Sequence, residues 1–295
     1  MISADWPAPA KLNLFLHVLG RRADGYHELQ TAYQLIDLVD TLSFGLREDG
    51  EIRRAEGPPS IPVEMDLTVR AARQLQALAG VSMGAEIRVI KRIPIQGGLG
   101  GGSSDAATTL IALNELWGLR LGTEQLVEAS LALGADLPFF VRGRNAWGEG
   151  IGERLAPIDL PQRYYAVVFP GHGVSTAEVF QATELTRNSP RLTIRGFLQA
   201  GGHNDCAAVA AGRYPEVARA LAWLGCRGDA RLTGTGSCVF AGFAQRTQAE
   251  AALTDLPRGW SGFVAAGLDR SPLLERLAAE RAQRGRVDQW GVAKW

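Results

Sequence analysis

Pro94-Ile95-Gln96-Gly97-Gly98-Leu99-Gly100-Gly101-Gly102-Ser103-Ser104-Asp105 is the segment most able to do chemistry. Its glycines free the backbone to wrap an anion without side-chain collisions. An apolar alternation precedes it and an amphipathic helical pattern follows it. A loop entering a helix exposes unpaired N–H groups at the positive end of the helix dipole, which is a phosphate site. Serines at that turn add hydroxyl donors or a magnesium ligand. The loop lacks the Gly-Lys-Ser/Thr ending of a Walker A motif. It also misses the dinucleotide spacing, because the third glycine counted from Gly98 falls on Ser103. With no lysine inside the loop, the cation for the phosphates has to come from elsewhere in the chain.

Two charged residues stand in unusual settings. Lys11 follows Pro9-Ala10 at the mouth of an alternating segment, and Asp136 sits in Leu133-Gly134-Ala135-Asp136-Leu137-Pro138-Phe139-Phe140. Each alone reads as a surface lysine and a helix-end aspartate. Phosphoryl transfer, however, needs little more than a phosphate cradle, a cation and a group that orients the attacking hydroxyl. An ammonium and a carboxylate beside the loop supply the last two.

The elements that would position these groups are legible in outline. Lys11–Val18 alternates, with Leu12, Leu14, Leu16 and Val18 on one apolar face, and reads as a strand. Asp40–Leu46 and Ala85–Ile93 read as further strands. Thr68–Ala79 has helical spacing and stops at Gly80. A helix is expected from about Asp105 to Trp117, capped by Ser103 or Ser104 and ended by Gly118. Another helix is expected over Thr123–Leu133. Tyr164–Phe169 reads as a strand and Pro215–Leu224 as a helix with proline in its first turn. Arg231–Phe243 holds strand residues around a glycine turn. Ser271–Gln283 reads as a last helix, followed by a polar tail. The elements mix without strict strand–helix alternation, which favours α+β over a doubly wound sheet. Prolines at 157 and 161 mark a boundary and divide the chain into 1–156 and 157–295.

Composition narrows the classes. The chain has 295 residues, 46% of them hydrophobic and 21% charged, as in globular proteins. Lysine plus arginine and aspartate plus glutamate both total 31, so the net charge is zero and a nucleic-acid partner is not expected. Cys206, Cys226 and Cys238 form no pairing or zinc pattern and read as reduced thiols, which suits a cytoplasmic setting. No leader pattern and no long apolar run is seen, so no membrane association is expected.

At this point three segments resemble a known family, the GHMP kinases. They are Pro9-Ala10-Lys11-Leu12-Asn13-Leu14, the loop from Pro94 to Ser104, and Leu232-Thr233-Gly234-Thr235-Gly236-Ser237-Cys238, in family order. Within that family, Arg22-Ala23-Asp24-Gly25-Tyr26-His27, Leu133–Asp136 and Asn204-Asp205 resemble a branch serving the non-mevalonate isoprenoid route. Asp105 follows the two serines where some members carry asparagine. The resemblance implies a two-domain α+β fold with its active site in the inter-domain cleft. It implies ATP and Mg²⁺, and a cytidine-diphosphate-linked methylerythritol as the alcohol phosphorylated at C2. Asp136 would orient that hydroxyl or accept its proton, with Lys11 holding Asp136 ionised. Pro94 to Ser104 would cradle the ATP phosphates, and Gly234 and Thr235 would close the cleft from the other side. Asn13, Tyr26, His27 and Phe180 complete the implied substrate site, the last three around the cytosine. A homoserine- or mevalonate-type kinase, or a non-catalytic member of the fold, stands as the alternative. Oligomeric state and magnesium ligands are open.

Overall fold

The computed structural model describes residues 2–289, with side chains through Gln283. Its backbone is a hairpin of two long strands, β1 (Ile2–Arg21) and β2 (His27–Arg47). They pair antiparallel along their whole length, with register shifts that let β1 bend. Successive stretches of β2 serve different neighbours. Thr41–Arg47 pairs with β4 (Gly84–Ile90), Leu35 and Ile36 with β10 (Ser261–Leu268), and Leu29–Tyr33 with β5 (Ala146–Gly150). β3 (Ile52–Glu56) adds to β4 in parallel, and β6 (Arg154–Pro157) adds to β5. Beyond β10 the sheet continues through β7 (Tyr164–Phe169), β9 (Val239–Phe243) and the short β8 (Arg231–Leu232).

Helices cover this sheet in two groups. α1 (Leu67–Ala79), α2 (Gly101–Leu116), α3 (Thr123–Leu131) and α4 (Leu137–Arg142) belong to the first half. α5 (Thr176–Gln181), α6 (Ile194–Ala200), α7 (Cys206–Arg213), α8 (Pro215–Gly225) and α9 (Arg246–Ala252) belong to the second, and α10 (Pro272–Gln289) returns to pack on β1 and α2. Each group builds its own core. Leu75, Leu110 and Leu113 from the first helices meet Trp6, Phe44 and Ile87 of the sheet. Val209, Val217 and Leu224 meet Val168 and Val239 in the other half. β1 joins both, giving Trp6 to the first core and Leu16 and Val18 to the second. A mixed sheet with helices, rather than alternating parallel units, is the α+β architecture that the sequence implied.

Several local expectations need correction. Over 11–18, β1 has no solvent face: Lys11, Asn13, Phe15 and His17 are buried, as are Leu12, Leu16 and Val18. Phe15 packs against Trp147 and Phe197 in a separate aromatic cluster. α2 begins at Gly101, before the serines, with left-handed Gly100 at its N-cap position and no side-chain cap. The anchored glycine loop, and not a serine cap, sets the start of this helix. α3 stops two residues earlier than expected, at Leu131. α10 runs past Gln283 to Gln289, so the tail reading fails there, and residues 290–295 lie outside the described residues. No helix among the described residues is long and apolar enough to cross a membrane.

Leu110 is fully buried where α2 meets the sheet. Leu110→Ala should destabilise the fold by about 2–5 kcal/mol, read as a shift of the denaturant midpoint with unchanged slope.

Candidate active site

The site begins in the middle of β1. Lys11 donates its main-chain N–H to the Leu99 carbonyl at 3.0 Å, which ties the strand to the glycine loop. Its Nζ donates to Gly98 O at 3.0 Å and to Asn13 Oδ1, and lies 3.4 Å from Asp136 Oδ2. The Lys11 side chain is only 4% exposed, so these oxygens are what compensates its buried charge. Asp136 occupies the N-cap position of α4 but makes no cap bond. Its carboxylate instead takes a hydrogen bond from Tyr33 Oη at 3.0 Å through Oδ1. Burial, reinforced by the Asp136 charge, pushes the Tyr33 phenol well above its usual pKa, so it serves as a neutral donor. Asp136 keeps 30% of its side chain open to the cavity.

The loop is locked from the opposite side by the third motif. The Cys238 N–H donates to Gly97 O at 3.0 Å, and the Ser237 N–H to Gln96 O at 3.2 Å. Thr233 Oγ1 donates to Gly98 O at 3.2 Å and accepts the Asn13 N–H at 3.0 Å. Gly98 has φ +76°, and a Cβ there would lie 2.2 Å from Thr233 O, so only glycine fits. Asn204 holds the motif from behind, donating to the carbonyls of Leu232 and Gly234 at 2.8 Å each. Asp205 accepts the Val18 N–H at 2.6 Å and a contact from His203 at 2.8 Å, while His17 meets His203 at 3.1 Å. These groups fasten β1 to the second half and lie outside the cavity.

The cavity between the halves has a volume of about 580 Å³. Lys11, Asn13, Asp136, Phe180, Gly234, Thr235 and every loop residue from Pro94 to Ser103 line it. Ser104 does not: it is buried beneath the loop and its hydroxyl has no partner. Tyr26 is 61% exposed at the hairpin tip and does not line the cavity. His27 is buried and stacks on Phe180, rings 5.2 Å apart at 23°. Burial and the neighbouring arginines lower the His27 pKa, so its Nε2 is free to accept from Arg187 Nε at 3.0 Å. Arg187 also binds the carbonyls of Phe180 and Ala182.

Sequence reasoning missed four parts of this site. One is Tyr33, which pairs across the ladder with Asn13. Another is Arg187. The third is a set of apolar residues in the cavity wall, Pro58, Ile61, Met65, Leu67 and Val89. The fourth is Lys91, whose Nζ contacts Asp40 and lies 2.7 Å from Asp105 Oδ2. Lys91-Arg92, immediately before the loop, was the legible signal for it. Asp105 is accordingly not an exposed acid at a helix start. It is buried past the first residues of α2 and shares Lys91 with Asp40.

Comparison with known proteins agrees with this geometry. Residues 66–144 match the model for the GHMP kinases N terminal domain, and residues 187–262 match that for the GHMP kinases C terminal. A 4-diphosphocytidyl-2-C-methyl-D-erythritol kinase of Halorhodospira halophila is 56% identical over 283 residues, 95% of this chain and 98% of that protein. One of Alkalilimnicola ehrlichii is 55% identical over 279 residues, 95% and 96% of the two chains. The crystal structure of a 4-(cytidine 5'-diphospho)-2C-methyl-D-erythritol kinase superposes with a TM-score of 0.77 at 32% identity, covering 90% of this chain and 99% of that one. A homoserine kinase from Cytophaga hutchinsonii, at 15% identity and a TM-score of 0.65, shares the fold. Two domain models in order, together with relatives matched nearly end to end, establish that the chain belongs to the GHMP kinase family.

Proposed function

We propose that the protein transfers the γ-phosphoryl group of ATP to the C2 hydroxyl of 4-diphosphocytidyl-2-C-methyl-D-erythritol, giving the 2-phosphate and ADP. The observation that carries this reading is the opening of the Lys11–Asp136–Tyr33 cluster and the glycine loop onto one cavity. The relatives that match this chain nearly end to end bear the name of that kinase. Residues 1–156 form the nucleotide-binding half in this reading, and residues 157–295 the half that holds the acceptor.

The loop from Pro94 to Ser103 cradles the phosphates through main-chain N–H groups, and the N-terminus of α2 adds its dipole. The apolar wall that includes Val89 takes the adenine. The attacking hydroxyl donates to Asp136, which aims its oxygen at the γ-phosphorus. As the new O–P bond forms and the bond to the β-phosphate oxygen breaks, the hydroxyl proton passes to Asp136. Tyr33 and Lys11 fix the two carboxylate oxygens, so Asp136 reorganises little. Lys11 also lies where charge accumulates on the transferred group. No group of three or more histidine, cysteine, aspartate or glutamate side chains able to hold a metal occurs among the described residues. Ser103, which lines the cavity at the end of the loop, is the residue that would help hold a Mg²⁺ bound chiefly by nucleotide phosphates and waters. The ion supplies charge neutralisation on the phosphate oxygens. Phe180 lines the cytosine end with His27 stacked against it, Tyr26 stands outside the cavity at the hairpin tip, and Asn13, Gly234 and Thr235 lie along the path between.

Asp136→Asn keeps the shape but loses the proton acceptor, and should lower kcat by about 100- to 10,000-fold with the fold intact. An ADP-release assay on the variant and the parent, with circular dichroism as control, checks this. A second assay offers the cytidyl compound, mevalonate, homoserine and galactose in parallel. Turnover of the cytidyl compound alone is expected, and Phe180→Ala should raise its KM while leaving that for ATP unchanged. Turnover of a different alcohol would keep the kinase chemistry and sink the cytosine assignment.

A further inference from the structure

A second cavity, of about 300 Å³, is built on β7, β9 and β8 and walled by α6. It shares no lining residue with the cavity between the halves. Leu14, Leu160, Phe197 and Phe240 are its apolar walls. Tyr165 is 3% exposed and also lines it. The Tyr165 hydroxyl has no hydrogen-bond partner among the described residues but keeps access to the cavity. A hydroxyl on so buried a side chain normally finds a partner, so this one marks a place where another polar group fits. Tyr165 pairs with Gly242 across the ladder, and a Cβ on Gly242 would lie 3.2 Å from Tyr165 Cε1 and 3.5 Å from Arg163 Cδ. The phenol ring and the Arg163 stem thus meet over one glycine. The Arg163 guanidinium has no ion-pair partner among the described residues. Arg231 does: Asp229 holds it at 2.6 Å, and it donates to the Leu14 carbonyl at 3.2 Å. Arg163 and Arg231 against Asp229 leave one positive charge uncompensated in the lining.

We propose that this cavity is a second ligand site, for a small organic monocarboxylate with an apolar body. The Arg163 guanidinium presents a planar fork that matches a carboxylate, and the Tyr165 hydroxyl donates to the same head group. Burial pushes the Tyr165 phenol up to about 12, with Arg163 and Arg231 drawing it back, so it is a neutral donor near pH 7. Phe197, Phe240, Leu14 and Leu160 cover the body of the ligand. Arg231, already neutralised by Asp229, serves as wall rather than as charge partner. A single negative charge therefore matches the lining, and a doubly charged head would leave an excess. The volume stands at the lower end of small-molecule pockets, which suits a compact ligand rather than a nucleotide.

The probe is 2-naphthoate, titrated into the full chain by calorimetry beside 2-naphthamide, acetate and 2-naphthyl phosphate. 2-Naphthoate should bind with a Kd below about 1 mM, and the uncharged amide and the bodiless acetate at least about 10-fold more weakly. Arg163→Met should raise the Kd for 2-naphthoate about 10- to 100-fold, and Tyr165→Phe about 3- to 10-fold. Asp136→Asn, which alters the other cavity, should leave that Kd unchanged. Arg163→Met and Tyr165→Phe should both keep the parent's circular dichroism and ADP release, since neither residue lines the cavity between the halves. No binding of 2-naphthoate up to about 10 mM overturns the proposal, as does a Kd that neither variant moves or that Asp136→Asn moves equally. Tighter binding of 2-naphthyl phosphate than of 2-naphthoate overturns the assignment to a monocarboxylate.

Discussion

A single buried ammonium organises this molecule. Lys11 Nζ has too little solvent to carry its charge alone, so it requires oxygens at fixed places. Gly98 O comes from the loop, Asn13 Oδ1 from its own strand, and Asp136 Oδ2 from the start of α4. Three pieces of chain far apart in sequence thus converge because one cation must be compensated. The Gly98 carbonyl is the shared point, since Thr233 of the second half also donates to it. Each half of the molecule therefore presents something to the same few atoms.

The sheet explains why that convergence is stable. β1 contributes to both hydrophobic cores and pairs with β2 throughout. A strand so placed cannot shift without opening two cores at once. The catalytic candidate Lys11 and the substrate-binding candidate Asn13 sit in its middle, where displacement costs most. The loop sits at the start of α2 and Asp136 at the start of α4, its carboxylate aimed by Tyr33 and Lys11 and not by a cap bond.

Much of this was legible in the sequence, for identifiable reasons. The glycine loop stood out because no other physical account fits so many glycines welded between a strand and a helix. Lys11 and Asp136 were legible as charges in apolar settings. α1 was read well because its periodicity is strong and Gly80 ends it, and β7 because its short apolar run stands between Pro161 and Pro170. The errors share a cause. The start of α2 is set by tertiary anchoring of Gly100 rather than by a serine cap, and local propensity cannot see that. Tyr33 and Lys91 escaped because their meaning lies in partners over fifty residues away, Asp136 in one case and Asp40 in the other. Short helices such as α5 and α6 are held by packing and carry too few turns to show a period.

The β1–β2 hairpin carries its most buried and its most exposed polar groups on one ribbon. Lys11 and Asn13 lie mid-ribbon, locked by neighbours on both faces, whereas Tyr26 projects from the tip into solvent. Residues at the tip can be exchanged or lengthened without disturbing a core. The tip can accordingly be altered at little cost to either core, whereas any change at Lys11 or Asn13 is felt through both faces of the ribbon. Rigidity and tolerance to change are thus graded along the same hairpin, from its middle to its tip.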